Sequence, residues 1–158
     1  PYVHYEELRP VFLHEWERFL GLLAKHGVDR PTAAGVEVTY VNQLDRGKGW
    51  GGFEDLSSVF APWSGVGSTG FLPSPNAVAI NARYPIADGG SLAIISEPAI
   101  RKSDGTSIVQ LRLTASIKLP CGGTDAISAA IDRGRNWVVN GFTDFASEAM
   151  HKIWKRTI

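Results

Sequence analysis

The chain has 158 residues, with 16 Lys+Arg against 16 Asp+Glu and hence no formal net charge. Apolar residues make up 44% and aromatics 10%. That is too oily for a disordered tail, and the charge balance argues against a module that binds nucleic acid through its phosphates. A chain of this length makes about one domain and can bury roughly 70% of its unfolded surface.

The single cysteine, Cys121, excludes an internal disulfide and fits a reducing, cytoplasmic setting. No apolar run approaches the ~20 residues of a spanning helix. The opening Pro1-Tyr2-Val3-His4-Tyr5 has no initiator Met and no charged-then-apolar signal pattern. The expectation is a piece of a longer protein, with 1–158 forming one α+β domain that lacks an N-terminal portion.

Residues 6–25 read as an amphipathic helix. Leu8, Phe12, Trp16, Phe19, Leu20 and Leu23 recur at steps of three and four and share one face. Pro10 suits only the first turn, where its missing N–H has no partner to lose. Gly27 is the candidate C-terminal cap. Residues 35–44 alternate, as in a half-buried strand: Val36, Val38, Tyr40 and Leu44 point one way, Glu37, Thr39 and Gln43 the other. Asn42 interrupts the apolar face.

Residues 45–76 form a long stretch rich in glycine, proline and aromatics. A short helical turn capped by Asp55 is expected within it. A loop this long inside a compact domain is uncommon and is often functional. Three strands follow, over 77–86, 91–100 and 108–119, joined by turns at 88–90 and 102–105. They predict an antiparallel meander, oily on one side. Thr124 and Asp125 offer caps for a second helix bearing Ile127, Ala130, Ile131, Trp137, Val138 and Phe142. A break is expected near 141–144. Ser147 then caps a short last helix with Met150, Ile153 and Trp154. The order is helix, strand, loop, three strands, two helices. It predicts an α+β fold with a four-stranded antiparallel sheet and helices on one face.

Catalytic and cofactor motifs fail on context. Gly65-Val66-Gly67-Ser68-Thr69-Gly70 spells G-x-G-x-x-G, but Pro73 and Pro75 follow where the phosphate-binding helix must begin. Gly47-Lys48-Gly49 lacks the Ser/Thr of a Walker loop. His14-Glu15 begins H-E-x-x-H, yet Arg18 stands where the second His is needed. His4, His14, His26 and His151 are scattered. No nucleophile-base pair marks Cys121 as reactive. No metal and no cofactor is expected.

Two features remain. Arg83, Glu97 and Arg112 point to the wet side of the meander, with Glu97 expected near both arginines. They suit an anion site or a cross-strand charge ladder contributing roughly 0.2–1 kcal/mol per pair. The loop carries Trp50, Phe53, Phe60, Trp63 and Phe71, which either clamp it to the core or form a lid or partner-binding patch.

Tyr5-Glu6-Glu7-Leu8-Arg9-Pro10 leading to Trp16 and Phe19, the strand Val36-Glu37-Val38-Thr39-Tyr40-Val41-Asn42, and the segment from Asp132 to Asp144 followed by Met150-His151 and Trp154 form a signature over nearly the whole chain. It resembles an uncharacterised, sporadically distributed prokaryotic protein family. Its members are longer, with a further N-terminal third of strands and a helix. The resemblance implies that this chain is the C-terminal two thirds. Ala146-Ser147 and Lys155 depart from the pattern. The family has no established activity, cofactor or catalytic residue, so the resemblance implies none.

The leading expectation is a non-enzymatic binding domain that holds a protein partner or a small apolar ligand. Its candidate residues are Trp50, Phe53, Trp63, Phe71, Tyr40, Asn42, Arg83, Glu97 and Arg112. One alternative is an enzyme with a pocket between the sheet and the 45–76 loop. Another is weak nucleic-acid contact through Arg133, Arg135, Lys152, Lys155 and Arg156, provided those charges converge.

Overall fold

The computed structural model describes residues 4–64, 71–120 and 122–154. Among these residues the fold is α+β, with four α-helices and four antiparallel strands in the expected order.

Helix α1 spans Tyr5–Lys25. Pro10 lies in its second turn, beyond the first-turn positions anticipated for it, so one helical bond to the Glu6 carbonyl is forgone. The helix ends at Gly27, whose φ of +67° suits a residue without a Cβ. There the Val28 N–H reaches the Leu23 carbonyl at 3.0 Å and the Gly27 N–H reaches that of Ala24 at 3.1 Å, closing off the last turn.

Strand β1 spans Gly35–Asp45, β2 Ile80–Ile86, β3 Gly90–Ile100 and β4 Ser107–Lys118. The sheet order is β1-β4-β3-β2. The last three strands are the anticipated meander, and β1 pairs outside β4 in a register from Gly35 opposite Lys118 to Asp45 opposite Ile108. β2 starts three residues later than the expected 77, at Ile80.

The sheet's inner face carries Val109, Leu111, Leu113, Ala115 and Ile117 of β4, all buried, with Leu92 and Ile94 of β3. Helix α3, Thr124–Phe145, lies over this face. It runs unbroken through 141–144, where a break was expected. Gly141 there faces the sheet: a Cβ on it would run into Leu92. Gly134 is the matching position two turns earlier, where a Cβ would lie 2.8 Å from Val38 Cγ2. A mid-helix glycine costs about 1 kcal/mol, and the close helix-sheet approach offsets it. The helix start also differs from expectation: Gly123 holds the cap position, with no side-chain cap.

The described part of the 45–76 stretch is partly regular. It holds a 3-10 turn over Phe53–Asp55 and a short helix α2 over Leu56–Val59. Asp55 Oδ2 accepts from the N–H groups of Gly51 (2.8 Å) and Gly52 (3.1 Å), which ties the turn together. Helix α4, Glu148–Ile153, is capped as expected by Ser147, whose Oγ accepts from the Met150 N–H at 3.2 Å. α2 packs on α4, and Leu56, Val59, Phe60 and Met150 join the main core.

Candidate interaction groove

Residues far apart in sequence fix α1 against α3. Arg9 donates from Nε and Nη2 to the two carboxylate oxygens of Asp132, both at 2.8 Å, and also to Ser128. Tyr5 donates its hydroxyl to the same carboxylate. Arg135 bonds Glu6 at 3.1 Å and stacks over the Tyr5 ring, 4.6 Å from its centroid. The hydrogen bonds from Arg9 and then Tyr5 hold Asp132 below the usual carboxylate range. Partial burial, then the neighbouring carboxylate, pushes the Tyr5 phenol up to about 12.

This clasp holds α1 along the β1 side of α3. Only Leu20 of the anticipated apolar stripe is fully buried. Leu8, Phe12 and Phe19 remain 52%, 49% and 44% exposed. Between α1 and β1 lies an apolar groove of about 540 Å³. Leu8 and Phe12 form one wall, the segment from Val36 to Asn42 the other, and Ile131 of α3 the back.

Among the described residues β1 has a ladder partner on one side only, β4. The antiparallel pattern decides which of its groups face outward. The Leu119 N–H donates to the Ala34 carbonyl at 3.0 Å, just beyond the strand ends, so that pair is hydrogen-bonded. Such pairs alternate along an antiparallel ladder. Val36, Val38, Tyr40 and Asn42 therefore turn their backbone groups to β4. Glu37, Thr39, Val41 and Gln43 turn theirs to the open edge.

The structure places the candidate residues in several separate places. Tyr40 and Asn42 line the groove. Trp50 and Phe53, ring centroids 5.9 Å apart, line a second cavity of about 470 Å³ with Arg46, Glu54, Pro98 and Ile100. Trp50 is itself 6% exposed and part of the core, and Trp63 packs half-buried against that core. Phe60 is fully buried. Phe71, 99% exposed, stands apart from these. The aromatics thus chiefly clamp the stretch down.

Glu97 and Arg112 form an ion pair of 3.3 Å on the wet sheet face. Arg83 does not join it. Register sets Arg83 opposite Ala93, four residues and about 13 Å along β3 from Glu97. The expectation that Glu97 meets both arginines fails because the meander's register, fixed by its short turns, shifts β2 away. Arg135 faces α1, whereas Arg133 lines the opposite flank of α3 beside Lys118 and Pro120, so these two charges diverge. Lys155, Arg156, Cys121, the 65–70 glycine motif and Pro1-Tyr2-Val3 lie outside the described residues.

Sequence named Leu8 and Phe12 as part of the helix stripe, and Tyr5 and Arg9 within the family-like signature, but assigned none of them, nor the outward groups of β1, to a site. Among the described residues no three of His, Cys, Asp and Glu are grouped to hold a metal ion. No helix among them is long and apolar enough to cross a membrane. Comparison with protein-family models, curated proteins and solved structures finds nothing that matches this chain.

Proposed function

We propose that this chain is a non-enzymatic interaction domain that holds a polypeptide partner in the groove between α1 and β1. The observation that carries the reading is the open edge of β1 beside exposed Leu8 and Phe12. An exposed apolar groove of this kind marks a binding surface. The separation of Glu97–Arg112, Arg83 and the Trp50–Phe53 cavity supports it against an enzyme built from those residues. The longer prokaryotic family suggested by the sequence is compatible with such a module and adds no activity to it.

The test is selection of peptides from a random displayed library on the folded chain. Selected peptides are expected to lose at least about tenfold in affinity, some 1.4 kcal/mol, on Leu8→Asp or Phe12→Asp. Phe71→Ala should leave them unaffected. Peptides indifferent to both groove substitutions contradict the reading.

A further inference from the structure

Among the described residues β1 is the last strand on its side of the sheet, and α1 lies along the groove beside it. α3 lies over β1 and β4, with Gly134 against Val38 and Ile117. α1, clasped to the β1 side of α3 by Arg9 and Asp132, roofs the space beyond β1. Strands pack about 4.8 Å apart in a sheet, so that space is where a further strand belongs.

Two observations narrow the occupant. First, Glu37, Thr39, Val41 and Gln43 present four N–H and four C=O groups to the open edge. A helix cannot satisfy that row, because its own backbone groups are used internally. A strand can. Second, the two sheet edges differ. β2 is seven residues long and contains Pro85, which cannot donate, whereas β1 runs eleven residues without a proline. Pro-bearing short edges resist added strands and long proline-free ones accept them.

We infer that the groove takes an extended segment of another polypeptide as a fifth strand, hydrogen-bonded to β1 and roofed by α1. This inference rests on the proposed reading of the groove as the binding site. The groove specifies the segment's chemistry. Alternate apolar side chains enter under Leu8 and Phe12. The intervening side chains fall on the wet face, where the Glu37 carboxylate favours a Lys or Arg across from it. The segment from Val36 to Asn42 gives contact over about 23 Å.

The probe is a capped peptide of about ten residues alternating valine with threonine and lysine, titrated into the full chain and followed by amide hydrogen exchange. With free peptide about ten times above Kd, protection of the amides of Glu37, Thr39, Val41 and Gln43 should rise about tenfold. Those of Val36, Val38 and Tyr40 should not change. Val41→Pro removes one outward N–H and spares the β4 ladder, so it should weaken binding at least about tenfold. Two peptides N-methylated on alternate residues guard against a misfolded variant: one set should abolish binding and the other should not.

Equal binding of both methylated peptides, unchanged exchange at the four outward amides, or no binding at about 1 mM overturns the inference. The two claims fail differently. If Phe12→Asp abolishes binding but both methylated peptides bind alike, the groove stands and strand addition falls. If Phe12→Asp has no effect, both fall. Concentration-dependent protection of the four amides without peptide assigns the edge to a second copy and also overturns it.

Discussion

Arg9 holds Asp132 through two hydrogen bonds of 2.8 Å, one from Nε and one from Nη2, across 123 residues of sequence. The paired geometry fixes orientation as well as distance, and Tyr5 and Ser128 add further bonds to the same cluster. Because α1 is otherwise half-exposed, this cluster decides where Leu8 and Phe12 stand. Asp132→Asn removes the charge and one strong acceptor. We expect faster amide exchange throughout α1, with exchange in β3 and β4 unchanged, because local opening need not follow global unfolding. Equal acceleration in α1 and β4 would show that the clasp supports the whole fold instead.

Docking of α1 should depend on pH at both ends. Asp132 is held below its ordinary value by Arg9 and Tyr5. Its contribution is therefore present above about pH 4 and lost as pH falls further through the folded value. The Tyr5 phenol is raised by burial and by Asp132 to about 12. Its contribution is present below the unfolded value of about 10 and fades as pH rises toward about 12. Trp16, half-buried on α1, reports the change by fluorescence. Tyr5→Phe should abolish the alkaline step and leave the acid one.

Two glycines should respond in opposite directions to alanine. Gly21 lies inside α1 with nothing within 4 Å of an added Cβ. Gly21→Ala should stabilise the chain by about 0.5–1 kcal/mol, chiefly by restricting the unfolded backbone. At Gly134 the new Cβ meets stiff, β-branched Val38 at 2.8 Å. The overlap costs about 1–3 kcal/mol and outweighs the gain in helix propensity. Denaturant midpoints at constant m read both effects.

The aromatics of the 45–76 stretch should divide by burial. Phe60 is fully buried, 5.1 Å from the Phe145 ring, with its backbone bridged to Ala146. Phe60→Ala should cost about 3–5 kcal/mol. Phe71→Ala, at a fully exposed position, should change stability by less than about 0.5 kcal/mol. Chemical denaturation separates the two directly.

The ion pair of Glu97 with Arg112 sits at 42–44% side-chain exposure on the wet face. A double-mutant cycle should give a coupling below about 1 kcal/mol that shrinks with salt. A larger, salt-insensitive coupling would point to a covered face.

Alternation was enough to read the strands and their buried face, though not their register. In β4 every second residue from Val109 to Ile117 is apolar, and each of them is buried. The Ser147 cap and the Gly27 stop were legible because each needs one particular residue type at one place. The groove was not, for a physical reason. Periodicity shows which face of α1 is apolar but not what lies against it. Leu8 and Phe12 look like core positions until Arg9 and Asp132, distant in sequence, set the helix beyond the sheet edge. Placement of Arg83 failed similarly, since register depends on turn geometry that alternation alone does not carry. The α3 break was wrongly anticipated because Gly141 reads as a helix breaker until Leu92 is seen against it.

The central claim is that β1 offers an open backbone edge beneath α1. Residue-resolved amide exchange on the unliganded chain tests it most directly. The account predicts alternation along β1. Amides of Val36, Val38, Tyr40 and Asn42, turned to β4, should be protected close to the level of global unfolding. Those of Glu37, Thr39, Val41 and Gln43 should exchange orders of magnitude faster. Uniform protection along all eight residues, with no alternation, would show that the edge is already covered and would contradict the account.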